Sequence, residues 1–327
     1  MSSDAASGGD GGVVASTDVT VIVEPNGNGG AELRSAIAAA TTSVYVTLYQ
    51  LDDSKLLDAL VARQAAGLDV QVILDGSSTN RAWNQPAYDQ LHTAGVDVVW
   101  SNPAFTYTHA KYVILDGRAA WIMTMNGNIS SPRYNREYLA IDTGAADVAE
   151  VTAIFHADHA AQPITPTGDL VVANTNARPR LVALIDAATT TVDLEDETFS
   201  DTTANGIVAA LERAAHRGVR VRVAISNQTL STGEQSANAR VIAAGGHVVM
   251  TGPTSGSGTA SNPYIHAKAI LVDCAGTTCA RGFVGSENMT ANSLGYNREV
   301  GVILADPVEL AKVATAFATD YARGTAL

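Results

Sequence analysis

The stretch THAKYVILDG, residues 108–117, returns further along the chain as IHAKAILVDC, residues 265–274. In both copies a histidine is followed by a lysine two places on and by an aspartate five places after the lysine. The apolar run between lysine and aspartate is rich in β-branched residues, which is typical of a buried strand. Histidine and lysine at this spacing lie on one face of an extended chain. The six repeated residues are His109, Lys111 and Asp116, and His266, Lys268 and Asp273.

Four other pairs of segments repeat in the same order along the chain. Chance could supply one such pair, but five pairs in register indicate an internal duplication. The further pairs are residues 32–51 with 179–199, residues 56–76 with 207–227, residues 91–100 with 241–250, and the tetrapeptide YNRE at 134–137 with its copy at 296–299.

The boundary between the two copies is predicted in AAQPITPTGD, residues 160–169, where two prolines and polar residues interrupt the pattern. The chain is then a flexible leader at 1–16, a first domain at 17–165 and a second domain at 166–327. In each domain, Val- and Ile-rich segments alternate with segments of helical periodicity. This alternation predicts two similar α/β domains, each with a largely parallel sheet covered by helices.

The composition limits the classes of function. The chain has 327 residues, of which 46% are hydrophobic and 16% charged, so it is long enough for two folded domains. Its net charge of −13 argues against binding of nucleic acid or of an anionic membrane through a broad positively charged surface. The sequence contains no run of about 18 apolar residues, the length that a membrane span requires.

The location of the protein is predicted from two features. The leader MSSDAASGGDGG is a small polar tract of the kind that follows a removed export signal or a lipid-anchor site. An ordinary disordered N-terminus is the alternative. The only cysteines, Cys274 and Cys279, lie between two apolar runs, where they are either a disulfide across a hairpin or two free thiols. A disulfide would fit a secreted or extracytoplasmic protein.

The repeated residues suit chemistry on an anion. A lysine holds an anionic oxygen, and a neighbouring imidazole can attack or move a proton. If a pseudo-two-fold brings both pairs to one cleft, one histidine can be the nucleophile while the other protonates the leaving group. Polar residues that follow each motif could bind oxygens or orient the imidazoles. They are Thr124, Asn126, Asn135 and Glu137 in the first half, and Ser286, Asn288, Asn297 and Glu299 in the second.

These motifs resemble the HxKxxxxD signature of the phospholipase D superfamily, and GSEN at 285–288 matches its GSxN extension. The resemblance covers the chain after about residue 17. It implies two α/β/α domains with mixed, mostly parallel sheets, packed around one shared site. It also implies phosphodiester cleavage through a covalent phosphohistidine, without a metal or another cofactor. One departure is MTMN at 123–126, where Thr124 keeps the hydroxyl.

The resemblance also implies a role for each residue. The first histidine, His109, is expected to attack, with His266 as general acid and later the base that activates water; the reverse assignment stays open. The phosphate is expected to be held by Lys111, Lys268, Asn126 and Asn288. Glu137 and Glu299 are expected to position the histidines, while Asp116, Asp273, Thr124 and Ser286 support the site or the fold.

The resemblance and the composition leave three possible functions. The protein is expected to be a phospholipase D that hydrolyses glycerophospholipids or transfers their phosphatidyl group; a nuclease and a non-catalytic lipid- or phosphate-binding protein are the alternatives. The acidic composition favours lipid or small diesters over a polynucleotide. We expect transient contact with a membrane surface, no obligatory protein partner and a monomer. Glu195 or Glu197 is a candidate to receive a cationic head group, against a solvated strand edge, and Tyr107 a candidate to line the cleft mouth, against simple packing.

Overall fold

The structure is a computed structural model that describes residues 13–327. Each half alternates strands and helices as the sequence predicts. The elements of the first half are β1 Val19–Glu24, α1 Ala31–Ala39, β2 Ser43–Leu48, α2 Ser54–Ala65, β3 Asp69–Leu74, α3 Arg81–Thr93, β4 Asp97–Trp100, β5 Tyr112–Leu115, β6 Ala119–Met123, α4 Ser131–Tyr134, β7 Asn135–Asp142 and α5 Ala145–His159.

The second half repeats this order, with a short first strand and two added short strands. Its elements are β8 Val171–Val172, α6 Ala177–Asp186, β9 Thr191–Asp196, α7 Ile207–His216, β10 Arg220–Ser226, α8 Thr232–Ala243, β11 His247–Thr251, β12 Tyr264–Ile265, β13 Lys268–Val272, β14 Arg281–Gly285, α9 Ala291–Tyr296, β15 Val300–Leu304, α10 Pro307–Arg323 and β16 Thr325–Ala326. The predicted duplication is confirmed.

Each half is built on an eight-stranded mixed sheet. The first has the order β1-β7-β6-β5-β2-β3-β4, with β12 of the second half paired to β7, and the second has the order β16-β11-β10-β9-β13-β14-β15-β8. The expectation of mostly parallel strands is wrong. Within each half only the β2-β3-β4 and β9-β10-β11 ladders are parallel, and the other pairs are antiparallel. Short turns join β5 to β6 and β13 to β14, and such turns permit only antiparallel pairing.

Local sequence sets where the helices start and stop. Asp53 begins α2, and its side chain accepts a hydrogen bond of 2.9 Å from the backbone nitrogen of Lys55. The helix stops at Gly67, whose φ of +85° lies in the left-handed region that glycine adopts without strain. In the second half, Ser231 and Glu234 form a reciprocal capping box at the start of α8.

The apolar core lies in three layers. One layer packs α1, α2 and α3 on the outer face of the first sheet, and another packs α6, α7 and α8 on the outer face of the second. The third layer lies between the sheets, contains residues from both halves, and encloses α5 and α10. Both sheets are therefore covered on both faces, as the α/β/α resemblance implies, and one continuous core joins the halves.

The sequence predicts a flexible leader at residues 1–16, but its last four residues, 13–16, contact the folded protein. Residues 1–12 lie outside the described part. Val13 and Ala15 pack against the core of the second half. The backbone nitrogen of Ser16 donates to the carbonyl of Ile303 at 2.8 Å. The start of the described chain is therefore tied to the second half before it enters β1 of the first. The boundary at residues 165 and 166 stays a prediction, although the two sheets fall on either side of it.

Cys274 and Cys279 are joined by a disulfide that closes the turn between β13 and β14. The turn also carries a short antiparallel bridge between Ala275 and Thr278. Of the two arrangements that the sequence leaves open, the structure contains the bonded one. Within residues 13–327 no helix combines the length and the apolar character needed to cross a membrane.

Candidate active site

Each His–Lys motif is fixed by the YNRE segment of the other half. The backbone nitrogens of His109 and Ala110 both donate to the carbonyl of Arg298 at 2.9 Å. In the second half, β12 precedes His266 and pairs in parallel with the start of β7, placing Ile265 beside Arg136. The two motifs therefore enter one cleft between the halves, as predicted, and backbone pairing across the boundary sets their positions.

The histidine–glutamate pairs cross between the halves. His109 Nδ1 lies 2.7 Å from Glu299 Oε2, and His266 Nδ1 lies 2.9 Å from Glu137 Oε2. Both carboxylates are fully buried. An ionised carboxylate only accepts hydrogen bonds, so each Nδ1 must donate and each Nε2 is turned toward the cleft. Neither half contains a complete site by itself.

The glutamates are held ionised by their surroundings. Burial alone would raise the pKa of Glu137 and of Glu299, but the charge of the facing histidine and its hydrogen bond outweigh burial and bring each pKa below the usual value. Neighbouring donors add to this effect. Thr124 and Asn135 donate to Glu137, and Ser293 and Asn297 donate to Glu299.

The two lysines lie fully buried beside the histidines. Lys268 Nζ donates to the carbonyl of His266 at 2.6 Å, and Lys111 Nζ donates in the same way to His109. Burial, together with the nearby charge of Lys268, lowers the pKa of Lys111 to about 7. Burial also lowers the pKa of His109. Each half thus offers an ammonium and an imidazole nitrogen to one anionic group.

The asparagines and hydroxyls differ in what they contact. The side-chain oxygens of Asn126 and Asn288 are buried and have no hydrogen-bond partner within residues 13–327. They lie in the segments that follow β6 and β14, where a substrate could meet them. Thr124 instead donates to Glu137, and Ser286 accepts a hydrogen bond from the backbone nitrogen of Val300. The two hydroxyls therefore hold neighbouring parts of the protein, Glu137 and the start of β15, in place.

Asp116 and Asp273 lie at the far ends of their strands, away from the cleft. Asp116 accepts hydrogen bonds from three successive backbone nitrogens at residues 41–43, and Asp273 from those at 189–191. Burial would raise the pKa of both carboxyls, but these hydrogen bonds together outweigh it and hold each pKa below the usual value. Both residues fix the turn that starts β2 or β9, so they act on the fold.

The arginines of the YNRE segments also cross between the halves. Arg136 Nε lies 2.5 Å from Asp320 on α10, and Arg298 Nε lies 2.9 Å from Asp158 on α5. All four side chains are buried. Because each arginine directly precedes a histidine-orienting glutamate, the ion pairs that join the halves also fix the glutamates. Sequence reasoning missed this role, although Asp158 and Asp320 occupy equivalent places in the repeat.

Glu195 lies outside the cleft, so its position does not fit the predicted contact with substrate. It is 1% exposed and accepts a hydrogen bond of 2.5 Å from the hydroxyl of Tyr138 in the core between the sheets. Its strand neighbour Asp193 pairs with Arg222. Burial, reinforced by the charge of Asp320, raises the pKa of Glu195 to about 8.

This raised pKa predicts a pH dependence of stability. A carboxyl whose folded pKa is raised contributes fully below its unfolded value of 4.5, and that contribution is lost as the pH rises toward about 8. Relative to the native chain, Glu195→Gln is therefore expected to gain a few kcal/mol between pH 5 and pH 8, since one pKa unit corresponds to about 1.4 kcal/mol. Urea unfolding at both pH values measures the gain. Glu212→Gln, on the surface, is the control, and an equal difference at both pH values would contradict the assignment.

Glu197 and Tyr107, the other candidates for substrate contact, have different surroundings. Glu197 lies in the cleft, but its carboxylate already accepts from Lys268 at 3.1 Å and from the hydroxyl of Tyr264 at 2.8 Å. Lys268 thus neutralises the charge that a cationic head group would need. Tyr107 is half-buried and packs edge-on against Tyr49, with ring centroids 5.9 Å apart, beside a cavity of about 380 Å³.

Sequence reasoning missed several residues of the cleft. Tyr49 packs against His109 with centroids 4.5 Å apart, and Tyr264 and Ser293 hydrogen-bond to carboxylates of the site. Glu287 is buried with both oxygens unpaired in the described part of the chain, and burial raises its pKa well above the usual value. Aligning the repeats position by position would have drawn attention to two of them, since Tyr49 matches Glu197 and Glu287 matches Met125.

The fold and the cleft define a duplicated α/β protein with two histidines, two lysines and crossed glutamates at one site, and its two His–Lys motifs resemble those of the phospholipase D superfamily. A family model described as "Cardiolipin synthase, PLD-like domain" matches residues 33–159 and 181–321. The chain therefore belongs to this phospholipase D-like family. Proteins of the superfamily act on phosphoric diesters or transfer phosphoryl-type groups. A search of curated proteins gave no match.

Solved structures share the fold at low sequence identity. Polyphosphate kinase from Porphyromonas gingivalis aligns with a TM-score of 0.69 and 16% identity over 92% of this chain, which spans only 50% of that enzyme. Phosphatidylserine synthase from Haemophilus influenzae aligns with a TM-score of 0.67 and 13% identity, covering 95% of this chain and 87% of that one. A mutant of yeast tyrosyl-DNA phosphodiesterase aligns with a TM-score of 0.58 and 10% identity, over 88% of this chain and 89% of that one.

Proposed function

We propose that the protein is a metal-independent phosphodiesterase of the phospholipase D type that hydrolyses glycerophospholipids through a phosphohistidine. The observation that carries this proposal is the crossed arrangement of His109 with Glu299 and His266 with Glu137 around two buried lysines. It presents two imidazole Nε2 atoms and two ammonium groups to one anion, which is what a two-step displacement at phosphorus needs.

In the first step, His109 Nε2 attacks phosphorus. Glu299 fixes the tautomer in which Nδ1 carries the proton, so the lone pair is at Nε2. The nitrogen–phosphorus bond forms, the bond from phosphorus to the alcohol oxygen breaks, and His266 gives its Nε2 proton to that oxygen. Lys111 and Lys268 stabilise the charge on the equatorial oxygens, because they are fully buried and water screens them little.

In the second step, His266 accepts a proton from water, and the resulting hydroxide displaces His109 from phosphorus. An alcohol can replace the water, in which case the product is a new phosphatidyl ester. The amides of Asn126 and Asn288 lie beside the motifs and can donate to the phosphate oxygens. Hydrolysis and transphosphatidylation thus share one covalent intermediate.

A lipid substrate is favoured over nucleic acid by two features. The chain carries 33 acidic and 20 basic residues, so it lacks the excess of positive charge that holds a polynucleotide backbone. The matching family model is named for a lipid enzyme, cardiolipin synthase. A nuclease with the same chemistry is the second candidate, and a non-catalytic phosphate-binding protein is disfavoured because both motifs keep all their polar residues.

Exposed aromatic residues beside the cleft support a transient contact with a membrane surface. Tyr134 and Tyr296, which directly precede the two NRE segments, are 45% and 63% exposed. The carbonyl of Tyr296 accepts from Thr106, close to the first motif. Tyrosine favours the boundary between water and acyl chains. A monomer suffices for this function because one chain supplies both halves of the site, and the disulfide supports work in an extracytoplasmic compartment.

The proposal is tested by ³¹P NMR of vesicles of phosphatidylcholine and phosphatidylglycerol with the protein, EDTA and ethanol. We expect phosphatidic acid and phosphatidylethanol at a rate that EDTA leaves unchanged. An unchanged lipid spectrum together with cleavage of single-stranded DNA would favour the nuclease. A rate that EDTA abolishes and added metal restores would contradict the proposed mechanism.

A further inference from the structure

The two halves place different side chains against their histidines. At the ends of β2 and β9, which the repeat aligns, Tyr49 in the first half corresponds to Glu197 in the second. The Tyr49 ring lies against His109, with centroids 4.5 Å apart. Beside His266 the same place holds a carboxylate, and Glu197 Oε2 lies 3.5 Å from Nε2. The pseudo-symmetry of the site is therefore broken where substrate chemistry occurs.

The two side chains differ in charge. Burial alone would raise the pKa of Glu197, but the charge of Lys268, then that of His266, and the hydrogen bond from Tyr264 bring it well below the usual value. Glu197 is therefore ionised. Burial raises the pKa of Tyr49 to about 12, so its phenol stays neutral. The first half thus has a neutral ring where the second has a negative charge.

This difference changes the charges that face each imidazole. His266 faces carboxylates at both nitrogens, Glu137 at Nδ1 and Glu197 at Nε2. Two facing carboxylates suit the ring form that carries a proton on each nitrogen, because an ionised carboxylate attracts an N–H group and repels a lone pair. Within residues 13–327, His109 has a carboxylate contact only at Nδ1. Its Nε2 lone pair is left free to attack.

The lysines follow the same division. Lys268 shares its ammonium with Glu197 at 3.1 Å, whereas Lys111 donates to a backbone carbonyl and lies 5.0 Å from the centre of the Tyr49 ring. Within the described residues, Lys111 is thus the ammonium without a hydrogen-bonded carboxylate, and it lies beside His109. His109, whose lone pair is free, thus lies beside the lysine that a phosphate oxygen can approach without displacing a carboxylate.

We propose that Glu197 is a positioning residue that keeps a proton on His266 Nε2, and thereby makes His266 the general acid and His109 the nucleophile. The inference rests on the proposed function. When the bond between phosphorus and the leaving oxygen breaks, the proton held toward Glu197 moves to that oxygen. A leaving group that departs as a stable anion does not need this proton.

The test compares two substrates that differ in one atom. They are a short-chain phosphatidylcholine and its analogue with sulfur in place of the choline ester oxygen, which releases thiocholine as a thiolate. Glu197→Gln is expected to lower kcat/KM for the oxygen ester by about 10²-fold, the size of a general-acid contribution, and to change the sulfur ester by less than about threefold. Glu212→Gln, on the surface of α7, is the matched control and should change neither. If Glu197→Gln does not fold, Glu197→Tyr can replace it, because tyrosine is the residue at the matching position of the first half. This variant should show the same difference in kcat/KM between the two substrates.

Equal losses on both substrates would overturn the inference and leave Glu197 with a structural role only. Failure of the proposed function gives a different result. In that case the native chain would cleave neither substrate, and no phosphate would be found on a histidine after acid-free trapping. If the native chain cleaves both esters and only the variant loses the oxygen ester, both proposals hold.

Discussion

His109→Ala is expected to reduce diester cleavage by about 10⁴-fold or more, because removing a nucleophile removes the covalent pathway and not just one contact. His266→Ala is expected to behave differently. With a substrate whose leaving group needs no proton, His266→Ala should still transfer phosphate to His109 and then accumulate the intermediate, since the base that activates water is missing. Mass spectrometry of rapidly quenched protein measures phosphate on each histidine.

The control for this experiment is His247→Ala, which removes an exposed imidazole at the start of β11. It should leave both the rate and the pattern of labelling unchanged. Phosphate on His266 in the His109→Ala chain, with none on His109 in the His266→Ala chain, would show that the roles are reversed. That result would also contradict the assignment made from Glu197, since both depend on His109 having the free lone pair.

The duplication and the identity of the paired motifs could be predicted from sequence because each depends on local information. A repeat in register and a fixed spacing of His and Lys are visible in the chain itself, and β-branched runs identify β5 and β13. The direction of the strands was not predictable in the same way. Alternation of strand and helix suggests parallel pairing, but the turn after Asp116 is too short for a crossover and reverses the chain.

The pairing of each histidine with the glutamate of the other half could not be predicted from the repeat alone. Sequence identifies Glu137 and Glu299 as partners for the histidines but not which glutamate meets which histidine. The choice is made by long-range pairing, such as that of β12 with β7, whose register puts Tyr264 beside Asn135. The burial of Glu195 and the cleft position of Glu197 were also hidden. The two residues are two places apart, but β9 ends between them at Asp196, so they do not share a strand face.

The buried ion pair between Arg136 and Asp320, which also joins the two halves, predicts a large effect on stability. Asp320→Asn is expected to destabilise the protein by about 3–5 kcal/mol, because the buried Arg136 would lose the carboxylate that lies 2.5 Å from its Nε. Arg136 cannot give up its proton, and its Nη1 donates only to a neutral group, the carbonyl of Glu24, at 2.8 Å. Urea denaturation followed by tryptophan fluorescence measures the change in the free energy of unfolding.

An exposed pair of the same chemistry is the matched control. Arg213 and Asp186 lie 2.7 Å apart, but their side chains are 43% and 36% exposed. Asp186→Asn should therefore cost less than about 1 kcal/mol, since water screens an exposed ion pair. Similar losses for the two variants would show that burial of the Arg136–Asp320 pair contributes nothing. A much larger loss for Asp320→Asn would show that the buried ion pair stabilises the joined halves, at a point of β7 where Arg136 is the neighbour of Glu137.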